Sequence, residues 1–133
     1  MRARILVGVL LVVVAFATGG TAFTGSHASP KQWAIVNFAE PISVHGHFVM
    51  GTVLIVHDDA RMEKGEPCTS IYSFDKTDGS RTLEVEFVCV PEQRAACDKT
   101  TLSVVRNQNT GINQLTQYQL AGDSEAHGVP SVR

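Results

Sequence analysis

Beyond residue 30 the chain consists of short apolar segments rich in β-forming residues, and 82–90 alternates apolar and polar residues in the two-residue period of a β-strand. Strands are expected at 33–38, which ends before Pro41, and within 48–57, the longest apolar segment of this part and rich in β-branched residues. Gly46 can turn the chain between two histidines, so 42–44 is expected to form a hairpin arm with the second strand. These signals predict an antiparallel ribbon.

A second hairpin is predicted by the pair Asp78-Gly79, which favours a two-residue turn between segments 68–75 and 82–90. If these two residues form the whole turn, facing residues have numbers that sum to 157, and Ile71 lies opposite Glu86 on the wet face. The pairs on the other face are Phe74 with Leu83, Tyr72 with Val85, Ser70 with Phe87, and Cys68 with Cys89.

A third hairpin is expected from the β-rich segments 100–106 and 112–120. Leu115 is out of phase with Tyr118, which indicates a bulge, because one extra residue reverses which side chains face the core. The tail from Gly122 onward is expected to be irregular.

One short helical segment interrupts the strands at 58–65, where an Asp can serve as N-cap and Gly65 ends the helix. With five to six strands at short spacing, the chain is predicted to be mainly β. The expected architecture is a small antiparallel barrel or sandwich with one short helical turn, preceded by a signal peptide.

The signal peptide is indicated by Arg2 and Arg4, which precede an apolar run from Ile5 to Ala17. This run is shorter than the about 20 residues of a membrane-spanning helix, which favours cleavage over anchoring. Small residues place the cleavage after Ala22 or after Ala28.

The predicted organisation is therefore a signal peptide and short spacer at 1–28, followed by a single β-rich domain at 29–133. Such a chain is a bacterial-type exported protein, periplasmic or extracellular (secreted), with no stable membrane span in its mature part. Without Arg2 and Arg4, 9 basic residues face 13 acidic ones, which argues against a nucleic-acid partner.

The three cysteines allow one disulfide in an exported protein and leave one thiol over. The predicted register nominates Cys68 with Cys89, whose bridge would close a loop of about twenty residues and add roughly 3 kcal/mol of stability. Cys97 has three interpretations: a buried small side chain, a reactive thiol, or a partner in an intermolecular bridge.

Histidines are the main candidates for metal chemistry, because imidazole suits copper and zinc. The candidate ligands are His45, His47, His57 and His127. Along a straight strand His47 and His57 would lie roughly 33 Å apart, so a site would have to combine His45 or His47 with another strand or with the tail. Solvated turn histidines are the competing interpretation. Asp123, Glu125 and His127 could form a binding site on a loop, but a solvated tail is the stronger interpretation of these residues.

Four stretches of the chain resemble a group of small exported bacterial proteins with no assigned activity. The likeness covers most of the mature chain and implies an intact exported domain, but it assigns no role to any residue. The stretches are Phe48 to Gly51, Leu54 to Asp59, Gly65 to Thr69, and Ala121 to Asp123 with His127 to Pro130.

Neither a Gly-x-Ser-x-Gly elbow nor a phosphate-binding glycine loop is present in the sequence, so no catalytic residue and no cofactor are predicted. The leading expectation is an exported non-enzymatic β domain that binds a small apolar ligand or an envelope partner. The alternative is a copper- or zinc-binding exported protein. A small hydrolase or thiol enzyme that uses Asp58 or Cys97 comes third.

Overall fold

The computed structural model describes residues 31–132, which contain eight strands and one short helix. The predicted signal peptide and both cleavage sites lie outside these residues. In chain order the elements are β1 (Lys31–Val44), β2 (His47–Asp58), α1 (Asp59–Glu63), β3 (Thr69–Phe74), β4 (Arg81–Phe87), β5 (Val90–Gln93), β6 (Thr101–Arg106), β7 (Asn113–Gln119) and β8 (Glu125–Gly128).

All eight strands belong to one sheet that curls into a half-barrel, which confirms the predicted mainly β class. The strand order is β4-β3-β2-β1-β7-β8-β5, and β6 pairs with β7. Every pair is antiparallel except β1 with β7, which meet in parallel at Ile42 and Asn113. The sheet has more strands than the five to six expected, because β5 and β8 are only four residues long.

The first hairpin is one long ribbon bent by a bulge. β1 pairs with β2 over its whole length, with a register shift between Phe38 and Ile42 where Pro41 cannot donate a ladder hydrogen bond. His45 and Gly46 form the turn with φ of 48° and 82°, as a two-residue hairpin turn requires. The predicted turn at Gly46 is confirmed.

The predicted register of the second hairpin is wrong. Ile71 pairs with Val85, and a bulge then places Tyr72 opposite Leu83. The turn is also longer than Asp78-Gly79, because the Asp75 N–H donates to the Ser80 carbonyl. The physical reason is burial: Ile71 is fully buried, whereas the predicted register would have left it on the wet face.

The later elements divide between confirmed and corrected predictions. β6 and β7 form the expected hairpin, with the bulge opposite Ser103 and Val104 that lets Leu115 and Tyr118 both be buried. The tail is not irregular, since residues 125–128 form β8 between β7 and β5.

The hydrophobic core lies on the concave face of the sheet. Val53 and Ile55 of β2 point into it, and the same alternation carries His57 to that face at the end of the strand. The other core residues are Ile42, Val44, Val49, Cys68, Ile71, Val85, Phe87, Cys89, Leu115, Tyr118, Leu120 and Val129. Within residues 31–132, no helix has the length and apolar character needed to span a membrane.

Candidate metal centre

Two histidines meet in the core. His57 ends the inward-facing row of β2 and His127 lies in β8, and neither side chain has any solvent exposure. Their rings are stacked, with centroids 3.8 Å apart and planes inclined by 27°. Buried imidazoles in contact are unusual because each must replace its lost water with protein partners.

The Cys68–Cys89 disulfide lies beside this pair, and its predicted connectivity is confirmed. The bond forms although the register of β3 with β4 differs from the predicted one. The Cys68 N–H donates to the Phe87 carbonyl, after which the chain leaves the ladder. Cys89 then turns inward, with its N–H directed at Cys68 Sγ at 3.1 Å and the two Cα atoms 6.2 Å apart.

Three donor atoms surround the sulfur of Cys89. His57 Nε2 lies 3.5 Å from it, His127 Nδ1 lies 3.8 Å from it, and Met62 Sδ of α1 lies 3.9 Å from it. The ligand atoms of His57, Cys68 and Cys89 all lie within 4.8 Å of one another. Two imidazoles and a thioether therefore converge on one buried disulfide sulfur.

Carboxylates contact the histidines around this point. Asp123 Oδ2 lies 3.0 Å from Nε2 of His127, on the side away from the sulfur. Asp59 Oδ1 lies 3.2 Å from Nδ1 of His57, without the geometry of a hydrogen bond, so this buried nitrogen has no hydrogen-bond partner. Glu125 Oε1 lies 3.6 Å from Nδ1 of His127. His57 thus has one nitrogen near a carboxylate and the other near sulfur, whereas the nitrogen of His127 near sulfur also lies near the Glu125 carboxylate.

Local structure explains how the carboxylates reach the histidines. Asp58 accepts hydrogen bonds from the N–H groups of Ala60 and Arg61, which confirms it as the N-cap of α1 and positions Asp59 in the first turn. Asp123 is fixed by the Glu125 N–H, which donates to its Oδ1 at 3.0 Å. Both carboxylates are therefore held by turn geometry as well as by the histidines.

Burial changes the proton affinities of this cluster. Burial, and secondly the charge of His127, lowers the pKa of His57 from 6.5 to about 4, so at neutral pH this ring carries a free lone pair. Burial also raises the pKa of Asp59 and Glu125. The pKa of the Tyr118 hydroxyl is raised, chiefly by burial, so Tyr118 stays a neutral hydrogen-bond partner of Thr69.

The four histidines predicted as ligands separate into two groups. His57 and His127 come together, whereas His45 and His47 lie at the tip of the first hairpin. His45 Nδ1 lies 2.9 Å from the Pro130 carbonyl and its ring packs near Phe87, while His47 is exposed. Met50, whose thioether is also a ligand type for copper, is exposed as well.

Two members of the cluster carried no sequence signal. Met62 and Asp59 occupy a five-residue helix whose composition indicated only capping. Asp123 and Glu125 were visible beside His127, but the expected solvated tail hid their role. Their role becomes visible only in the structure, where β8 pairs on both edges and buries His127.

The remaining candidates lie apart from this cluster. Cys97 is half-buried, and its Sγ contacts the Leu120 carbonyl at 3.5 Å. An open groove of 490 Å³ lies by the second hairpin, where Asp75, Lys76 and Arg81 contribute to a largely polar lining. Apolar side chains are exposed on the convex face, with Trp33 64% exposed.

No family model, curated protein or solved structure matches this chain. The fold and the site therefore define its class: a curled β-sheet domain whose core holds a histidine pair against a disulfide.

Proposed function

We propose that this chain is an exported metal-binding protein that holds one copper or zinc ion at the cluster of His57, His127 and Cys89. The observation that carries the proposal is the placement of both imidazole nitrogens around one sulfur, at 3.5 and 3.8 Å. The exported location is supported by the predicted signal peptide and is compatible with the disulfide.

The distances match those of ligands on a common ion. With zinc–sulfur bonds of about 2.3 Å and zinc–nitrogen bonds of about 2.0–2.1 Å, two ligands at the tetrahedral angle are about 3.6 Å apart. Two sulfurs on such an ion are about 3.8 Å apart, close to the 3.9 Å between Met62 Sδ and Cys89 Sγ. Each of the three contacts to Cys89 Sγ is therefore close to the separation of two ligands on one tetrahedral ion.

The surrounding carboxylates support the same function. A histidine that ligates a metal usually donates its other ring N–H to a carboxylate, which fixes the tautomer and the ring orientation. Asp123 is placed to do this for His127, and Asp59 is close enough to do so for His57 after a small shift.

Binding of an apolar ligand has less support. The 490 Å³ groove is open, and Phe74 is the one apolar residue in its lining, whereas sites for apolar ligands are enclosed and lined mainly by apolar residues. Among the described residues, one group of three or more histidine, cysteine or acidic side chains is spaced for a metal. It consists of His57, Cys68 and Cys89, and so shares His57 and Cys89 with the proposed site.

The test is metal analysis of the reduced protein. Purified chain is titrated anaerobically with Zn²⁺ and, separately, with Cu⁺ against a chromogenic chelator, and one ion per chain is expected to bind. His57→Gln and His127→Gln should each weaken binding by more than the about 10–100-fold typical of an outer-sphere partner. His47→Gln, at an exposed turn-flanking position, is the matched control and should leave affinity unchanged.

Circular dichroism establishes that each variant keeps its fold. The proposal is overturned if reduced wild-type protein binds neither ion, or if His47→Gln weakens binding as much as His57→Gln does.

A further inference from the structure

The sulfur at the centre of the proposed site is already bonded to another cysteine. The thiolate is the form of cysteine that binds metals, and a disulfide sulfur has neither its charge nor its donor strength. In the disulfide form only His57, His127 and Met62 remain as donors. Metal binding and the disulfide therefore compete for the same atom.

We propose that the Cys68–Cys89 bond is the redox gate of this site: the disulfide form excludes the ion, and the dithiol form binds it through Cys68, Cys89 and His57, with His127 completing the set. This inference rests on the proposed metal-binding function. The three principal ligand atoms already lie within 4.8 Å of one another, so after the bond opens the two sulfurs need only separate to the about 3.8 Å of two sulfurs on one ion.

The gate opens by thiol–disulfide exchange with a dithiol reductant. A thiolate of the reductant attacks one sulfur of the Cys68–Cys89 bond and forms a mixed disulfide, which the second thiol of the reductant then displaces. The reductant leaves as its own disulfide, and two electrons and two protons remain on the protein as two thiols. A metal ion then replaces the two thiol protons, which pass to solvent.

The donor set decides which ions the open gate accepts. Two thiolates and two imidazoles form an S₂N₂ set, which suits tetrahedral Zn²⁺, and the soft sulfurs with nearby Met62 also suit Cu⁺. Hard cations such as Mg²⁺ and Ca²⁺ prefer oxygen ligands and are not expected to bind.

The short helix α1 provides the route for the reductant. Cys68 and Cys89 are buried, and Met62 lies over Cys89. None of the residues of α1 is itself buried, so displacing this single turn breaks fewer contacts than opening a pair of strands. The sulfurs can therefore be reached by a reductant while the sheet stays intact.

The experiment compares two redox forms of the same full chain. One sample is oxidised so that Cys68 and Cys89 are linked, the other is reduced with a phosphine, and each is titrated anaerobically with Zn²⁺ and with Cu⁺. The reduced form is expected to bind one ion at least about 100-fold more tightly than the oxidised form, because only thiolates ligate strongly.

Alkylation provides a second readout with an internal control. Iodoacetamide should label Cys97 equally in metal-free and metal-loaded reduced protein, whereas bound ion should protect Cys68 and Cys89, as measured by mass mapping. Cys97 suits this purpose because its thiol contacts the Leu120 carbonyl, away from the cluster.

Variants separate the gate from the site itself. Cys68→Ser cannot form the disulfide and should bind ion with weaker affinity that no longer depends on oxidation of the sample. Cys97→Ser should keep the full redox dependence of the wild type.

Equal affinity of the oxidised and reduced forms would overturn the gate and leave the metal site standing. Absence of binding to either form would overturn the gate together with the proposed function.

Discussion

Buried histidines set the chemistry at the residue scale. His57 and His127 are fully buried, and each has one nitrogen near the Cys89 sulfur and the other near a carboxylate, with Glu125 also close to the sulfur-facing nitrogen of His127. The low pKa of His57, about 4, keeps its lone pair available at neutral pH because burial disfavours the charged ring. In the proposed metal site, Asp123 contacts only His127 and is therefore assigned as a positioning residue.

Asp123→Asn tests that role. Its Oδ1 can still accept from the Glu125 N–H, but its amide then faces His127 Nε2 as a donor and favours the tautomer whose Nδ1 carries the proton. Metal affinity of the reduced protein is expected to fall about 10–100-fold, measured by competition titration.

Asp75→Asn is the matched control for this substitution. Asp75 also accepts from a backbone N–H two residues on, that of Thr77, but lies in an exposed turn. The Asp75→Asn variant should bind metal with the affinity of the wild type. If Asp123→Asn binds as tightly as Asp75→Asn, Asp123 does not position the ligand.

Strand register is decided at the element scale by which side chains the core accepts. In the second hairpin a two-residue turn at Asp78-Gly79 would have turned Tyr72 inward and Ile71 outward. The longer turn, closed by the Asp75 N–H, shifts β3 by one residue and reverses its faces. The bulge that follows Ile71 then leaves Leu83 on the convex face.

Alanine substitutions distinguish the two registers. Ile71→Ala is expected to lower the free energy of unfolding by about 2–5 kcal/mol, because it empties a fully buried position. Leu83→Ala should change it by only about 0.5 kcal/mol, since Leu83 is 46% exposed. Urea denaturation measures both free energies of unfolding. A larger decrease for Leu83→Ala than for Ile71→Ala would favour the register of the two-residue turn.

Curvature brings the site together at the scale of the whole molecule. His57 is in β2 and His127 is in β8, and β1 and β7 lie between them in the strand order. In a flat sheet two intervening strands would hold the rings more than 10 Å apart, given about 4.8 Å between neighbouring strands. Their 3.8 Å stacking is therefore a consequence of the curl.

The disulfide is expected to stabilise the whole domain by restricting the unfolded chain. Its cysteines are 21 residues apart, so replacing both by alanine should lower the free energy of unfolding by about 3 kcal/mol. Cys97→Ala is the control and should cost less than about 1 kcal/mol, since Cys97 is only half-buried. Equal denaturation midpoints for these two variants would contradict the stabilising role of the bond.

Local chemistry accounts for what the sequence by itself determined. The two-residue alternation predicted the mainly β class, Asp58 predicted the start of α1, and Gly46 predicted the first turn, because each depends on residues close in the chain. The pairing of Cys68 with Cys89 was also predicted, and it survived the wrong register because Cys89 lies beyond the end of β4, where it is free to turn inward.

Only the tertiary structure decided the register of β3 and the choice of His57 and His127 over His45 and His47. Register depends on which residue the assembled core buries, a competition that no local signal resolves. The meeting of the two histidines depends on the curl of the sheet and on the burial of β8. Both are properties of strand pairing across long separations in the chain, and no periodicity along the sequence records them.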